Sequence, residues 1–138
     1  MGKNHEIVQK LWQAMETGAF EQLSEVVTPD CEFRMPGAEL HGVQELWGLQ
    51  QLWWSAFPDL KHEISHYVEN ADTLACELHV TGTHSGPLQS PKGIVPATGK
   101  KVVFESCDYL RFRDGKVASW HAYTDMLSFQ QQLGLAPK

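Results

Sequence analysis

The stretch KVVFESCDYLRFRDGKVASWHAYT, residues 101–124, decides the fold. In its first half, residues 102–112, the even-numbered positions are mostly apolar, which is typical of a strand with one covered face. The dipeptide Asp114-Gly115 then predicts a tight turn, and a second alternating run follows it. We therefore predict a β-hairpin in which Asp108 lies on the covered, apolar face of the first strand.

Amphipathic helices precede this hairpin. Apolar residues recur every three or four positions in residues 4–18, in a shorter segment at 20–27 and again at 43–57, which favours three helices. Residues 31–35 alternate as a short strand, and from residue 60 onward the period changes from 3.6 to 2. Helices followed by long strands and tight turns predict an α+β fold, in which the helices cover one face of a mostly antiparallel sheet.

The composition sets limits on partners and location. A chain of 138 residues and 15.6 kDa has the usual size of one domain, so we expect residues 1–138 to form a single unit. The net charge of −6 argues against a nucleic-acid partner, and no apolar run is long enough to suggest a membrane. Three widely spaced cysteines and a polar start favour reduced thiols in the cytoplasm.

Several segments resemble a known family. They are EIVQKLWQAMETG, TPD, AFPDL, GTHSGPL, PATGKKVVFE, RDGKV and WHAYTDMLSFQQQLG. Together they resemble the SnoaL-like polyketide-cyclase branch of the nuclear-transport-factor-2-like superfamily over nearly the whole chain. The resemblance implies a cone-shaped barrel, with a strongly curved sheet wrapped around the N-terminal helices and an apolar cavity inside, often as a homodimer.

The resemblance also implies an acid/base pair, an Asp on the last strand beside a His on the strand before it. In this chain Asp108 stands at the His position, and Ala122 stands at the Asp position. Because alanine cannot exchange a proton, the family mechanism cannot run unchanged through that position.

Asp108 is the main candidate for proton transfer. Burial among apolar residues raises the pKa of a carboxyl group toward the range that acid/base catalysis uses. The alternative is a structural carboxylate that neighbouring hydrogen-bond donors satisfy.

His121 is held in reserve, because its direction depends on the hairpin register. A two-residue turn at Asp114-Gly115 would place His121 opposite Asp108, whereas a three-residue, bulged loop would turn Trp120 and Ala122 to the covered face. The greater apolarity of the even-numbered positions favours the second arrangement.

The other histidines suggest weaker hypotheses. His84 could assist Asp108 at the cavity mouth, or it could anchor the proline-rich segment 85–99 as a structural residue. The strand period puts His62 and His66 on one face near the same mouth, too far apart for a shared metal. We therefore expect no metal site.

A set of large apolar side chains is expected to form the ligand-binding wall of the cavity. It consists of Met15, Phe33, Trp54, Phe104 and Trp120.

Three functions follow in order of preference. The first is an enzyme that cyclises or isomerises a small apolar, polyketide-like carbonyl compound by acid/base chemistry without a cofactor. The second is a binding module for a hydrophobic metabolite. The third, epoxide hydrolysis, requires two acids and an arginine, but Arg111 is predicted on the other face and Ala122 replaces the second acid.

Overall fold

The computed structural model describes residues 3–90 and 93–136. Within these residues the helices are α1 (Lys3–Thr17), α2 (Phe20–Val26), α3 (Val43–Ala56) and α4 (Met126–Gln132). The strands are β1 (Val27–Met35), β2 (Ala38–His41), β3 (Lys61–Glu69), β4 (Thr73–Thr83), β5 (Leu88–Ser90), β6 (Gly93–Val95), β7 (Lys101–Arg113) and β8 (Lys116–Thr124). The predicted α+β class is confirmed.

The strands form a six-stranded sheet in the order β2-β1-β8-β7-β4-β3, and β5 pairs with β6, among the described residues. All neighbours in the large sheet are antiparallel except β1 and β8, which run parallel. Helices α1, α2 and α3 pack against this sheet, and the buried apolar residues of helices and strands form one core cluster.

The β7–β8 hairpin combines a tight turn with a bulge. Asp114 and Gly115 both have positive φ, 54° and 76°, and form a two-residue turn between Arg113 and Lys116, where the sequence favoured a three-residue, bulged loop. The register then shifts at Ala118, so that Asp108 pairs with Ala122. This bulge turns Trp120 and Ala122 to the covered face, which is the arrangement that the three-residue loop was expected to produce.

A second bulge lies in β3, where the register shifts between Ile64 and His66. The extra residue, Ser65, turns the following side chains to the opposite faces. His62 therefore points inward, whereas the side chain of His66 is 80% exposed. The prediction that both histidines share one face is wrong for this reason.

Strand β1 begins at Val27, earlier than the strand that was predicted over residues 31–35. Pro29 lies where the pairing of β1 with β8 is irregular, so its missing N–H interrupts no regular ladder. No helix among the described residues is long and apolar enough to cross a membrane.

Candidate active site

A pocket of about 70 Å³ lies between the helices and the inner face of the sheet. Its large apolar lining residues are Trp12, Met15, Phe33, Trp53, Phe104 and Trp120. Four of these belong to the predicted wall. The polar side chains on the lining are few, namely His62, Ser106, Asp108 and Thr124. A mostly apolar pocket with a few converging polar groups is typical of a small-molecule site.

Trp54 does not line the pocket, so the prediction that it forms part of the cavity wall is wrong. Successive residues of a helix point about 100° apart, and α3 turns Trp53 into the pocket. Trp54 is 38% exposed and lies instead beside Gly18.

Asp108 is only 2% exposed and contributes its carboxyl group to the pocket wall. The Trp120 indole N–H donates to Oδ2 at 2.7 Å, and the Ser106 hydroxyl donates to Oδ1 at 2.5 Å. Thr124 Oγ1 lies 3.1 Å from Ser106 Oγ, so hydroxyl groups connect the carboxyl to a second lining residue. Both carboxyl oxygens are thus held in fixed directions.

Burial is the largest influence on this carboxyl group and raises the pKa of Asp108 above its ordinary value of 3.8. The hydrogen bonds from Ser106 and Trp120, and the charge of His62, act in the opposite direction. Removing a carboxylate from water costs more than two hydrogen bonds return. Burial thus shifts the balance of Asp108 toward the protonated acid, relative to an exposed aspartate, and a protonated acid can donate a proton or a hydrogen bond.

His62 belongs to the site, although its sequence pattern supported only a weak hypothesis. It lines the pocket, and its side chain is only 10% exposed. Its Nδ1 lies 3.0 Å from Glu16 Oε2, and its ring stacks on Trp12 at 5.1 Å between centroids. Glu16 and Trp12 come from α1, so the sequence pattern of β3 alone could not indicate this contact.

His84 is fully buried but does not line the pocket. Its Nδ1 lies 2.9 Å from Thr98 Oγ1 and accepts from the Thr98 N–H at 3.3 Å, while its ring packs near Phe57. Burial lowers the pKa of His84, which favours the neutral ring. His84 does not lie beside Asp108 in the pocket, and its contacts with Thr98 fit the alternative hypothesis, a structural residue that anchors the segment 85–99.

His121 points away from the pocket, as the apolar pattern favoured. It pairs with Tyr109 across the hairpin, and its Nδ1 lies 3.2 Å from Arg34 Nη2. Burial and the nearby charges of Arg34 and Arg111 lower the pKa of His121. The reserve role of His121 beside Asp108 is therefore excluded by the register.

Arg111 is exposed on the same outer face as His121 and packs over Tyr109, at 5.6 Å from the ring centroid. The arrangement that epoxide hydrolysis requires is thus not assembled around Asp108. In the part of the chain that the structure describes, no group of three or more His, Cys, Asp or Glu side chains could hold a metal ion.

Comparison with known proteins decides the family. The family model of SnoaL-like polyketide cyclases matches residues 5–133. The chain belongs to the SnoaL-like polyketide cyclase family. Two similar proteins are the aklanonic acid methyl ester cyclases DnrD of Streptomyces peucetius and DauD of Streptomyces sp. strain C5, each 28% identical. The alignments cover 97% of this chain, and 92% of DnrD and 83% of DauD.

The fold of this SnoaL-like chain matches solved structures of the family. A SnoaL-like protein of Jannaschia sp. CCS1 superposes with a TM-score of 0.84, covering 98% of this chain and 94% of the other at 19% identity. At that identity the likeness shows the fold alone. It confirms the expected α+β fold with a curved, mostly antiparallel sheet.

Proposed function

We propose that this SnoaL-like protein is an enzyme that cyclises or isomerises a small apolar, polyketide-like carbonyl compound by acid/base chemistry without a cofactor. The observation that carries the proposal is the carboxyl group of Asp108, 2% exposed in an apolar pocket. A protonated carboxyl in such a place can donate to a carbonyl oxygen and stabilise the enolate that forms there.

The surroundings of Asp108 support this role. Trp120 and Ser106 hold the two carboxyl oxygens, so the group needs little reorganisation when charge develops on a bound carbonyl. The apolar residues around it exclude water, which strengthens every electrostatic interaction in the pocket. Two relatives are named as cyclases of aklanonic acid methyl ester, which supports the class of reaction.

Turnover of a panel of polyketide-like esters and ketosteroids would test the proposal. We expect Asp108→Asn to lose about 10²–10⁴-fold in kcat, because an amide cannot transfer the proton. Asp72→Asn is the matched control, since it makes the same substitution in an exposed turn. Equal turnover by the wild type and Asp108→Asn would remove Asp108 from the mechanism.

A second candidate is a binding module that holds a small apolar ligand without turnover. Ala122 favours it, because this residue pairs with Asp108 across the hairpin and offers no group for proton transfer. Native mass spectrometry of freshly purified protein would then show a bound small molecule, and would also report whether the chain is a homodimer. Turnover of any ester in the panel that depends on Asp108 would contradict this candidate.

A further inference from the structure

The pairing of His62 with Glu16 fixes the direction of the imidazole. Glu16 Oε2 lies 3.0 Å from His62 Nδ1 and accepts the backbone N–H of the same residue at 2.8 Å. One carboxylate therefore holds both the ring and the strand that carries it. An acceptor at Nδ1 places the proton of the neutral ring on that nitrogen and leaves a lone pair on Nε2.

The free nitrogen belongs to a side chain that lines the pocket. His62 stacks on Trp12, whose ring contacts Trp120 edge-on at 5.3 Å, and Trp120 in turn donates to Asp108. No residue in the described part of the chain hydrogen-bonds Nε2 of His62. The charge of His62 also acts on Asp108, so the two groups share one electrostatic environment.

We propose that Nε2 of His62 is the general base of this pocket, that Asp108 is the complementary acid, and that Glu16 is a positioning residue. The inference rests on the proposed function and supplies the second proton-transfer group that Ala122 lacks. The resemblance implied a second proton-transfer group on the last strand. In the proposed mechanism this group is His62 of β3, which Glu16 of α1 positions.

The step balances without a co-reactant. His62 Nε2 takes a proton from the carbon beside a carbonyl, and the electrons of that C–H bond form an enolate. In a cyclisation the enolate carbon forms a bond to a second carbonyl carbon, whose oxygen takes a proton from Asp108. The proton on His62 then returns to Asp108 and restores both groups. In an isomerisation His62 returns the proton to another carbon.

The charged groups around His62 are few. Glu16 faces it from α1 and Asp108 from β7. Its strand neighbours Lys61 and Glu63 are exposed on the other face, and its partner on β4 is Val80. Among the described residues, Glu16 and Asp108 are thus the charged groups that face His62.

The outer face provides a matched control. His66 Nδ1 lies 3.1 Å from Glu77 Oε1, with side chains 80% and 64% exposed. This pair repeats the chemistry of His62 and Glu16 on the same strand but outside the pocket. A role that needs only a histidine beside a glutamate would be shared by both pairs.

The first measurement is the ¹⁵N spectrum of the histidine rings across pH, assigned with His62→Gln and His66→Gln. We expect neutral His62 to carry its proton on Nδ1, and Glu16→Ala to shift the ring toward the form protonated on Nε2. A neutral His62 protonated mainly on Nε2 in the wild type would overturn the proposal.

The second measurement uses 5-nitrobenzisoxazole, a flat probe of proton abstraction. The base takes the proton from C3, the N–O bond breaks, and a nitrile and a coloured phenolate form. We expect His62→Gln to lose at least about 10²-fold in kcat, His66→Gln to retain the wild-type rate, and Glu16→Ala to lower kcat more than it raises KM.

Other outcomes separate this inference from the proposed function. Loss in Asp108→Asn with full activity in His62→Gln would make Asp108 the base, which overturns the inference and leaves the proposed function standing. Probe turnover that depends on His62, with no turnover of any ester or ketosteroid, supports the base and contradicts the proposed function. A wild type no faster than free imidazole would overturn the inference, provided that circular dichroism shows the variants folded.

Discussion

Asp108 is deeply buried, and two hydrogen bonds hold its carboxyl group. Its Oδ2 accepts from Trp120 and its Oδ1 from Ser106, which stabilises the carboxylate form. Burial acts more strongly and raises the pKa of Asp108 above 3.8. The folded chain thus holds the proton more tightly than the unfolded chain does.

This difference makes stability depend on pH. The contribution of protonated Asp108 is fully present below about pH 3.8 and is lost as the pH rises through the higher pKa of the folded state. Asp108→Asn cannot ionise, so we expect its free energy of unfolding to rise relative to the wild type across that window. Above both pKa values, the gain is about 1.4 kcal/mol for each unit by which the pKa of Asp108 in the folded state exceeds its pKa in the unfolded state.

Urea denaturation of both proteins from pH 4 to 8 would measure this gain, with Asp72→Asn as the exposed control. Parallel pH curves for the wild type and Asp108→Asn would contradict a raised pKa.

At the scale of elements, the hairpin β7–β8 was predicted better than the strand β3. Alternation and the Asp114-Gly115 dipeptide indicated the strands, the turn and the inner face. A bulge was favoured in the loop at Gly115 and lies instead at Ala118, because the apolar pattern indicates that one extra residue is present but not where it lies. The bulge at Ser65 was not predicted, and it puts His62 and His66 on opposite faces of the sheet.

A site residue could be placed from the sequence only where the pattern of its own strand determines which way its side chain points. Asp108 could be placed from the apolar neighbours of its own strand, and Trp120 from the opposite one. The contact of His62 with Glu16 joins residues 46 positions apart, and no periodicity within either element indicates it. The contact of His84 with Thr98, in contrast, fits the anchoring role that the sequence offered as one alternative.

The junction between α3 and the segment after β4 provides a prediction at this scale. The N–H groups of Ser85 and Gly86 donate to Ala56 O at the end of α3. A Cβ at Gly86 would lie 1.9 Å from Ser55 O, so the backbone must shift. We expect Gly86→Ala to lower the free energy of unfolding by about 1–3 kcal/mol.

Gly48 is the control for this substitution. It lies inside α3 on an exposed position, and a Cβ there would meet nothing within 4 Å. We expect Gly48→Ala to raise the free energy of unfolding by about 0.5–1 kcal/mol. Thermal denaturation of the two variants measures both effects, and equal shifts of the same sign would contradict the close packing at Gly86.

At the scale of the whole molecule, the fold places one face of the sheet against helices and leaves the other open. The inner face carries Asp108, His62 and the apolar lining, while the outer face carries the exposed side chains of Val103 and Tyr123. The homodimer that the family resemblance implies stays a prediction. The pocket of about 70 Å³ is smaller than the roughly 300–1,000 Å³ of typical ligand sites, so a larger ligand requires its walls to open.

The central claim is that this fold keeps the carboxyl group of Asp108 away from water and protonated beyond the ordinary range of an aspartate. The ¹³C chemical shift of the Asp108 carboxyl carbon, assigned with Asp108→Asn and followed across pH, measures this directly. We expect a titration midpoint above 3.8. A midpoint at or below that value would contradict it.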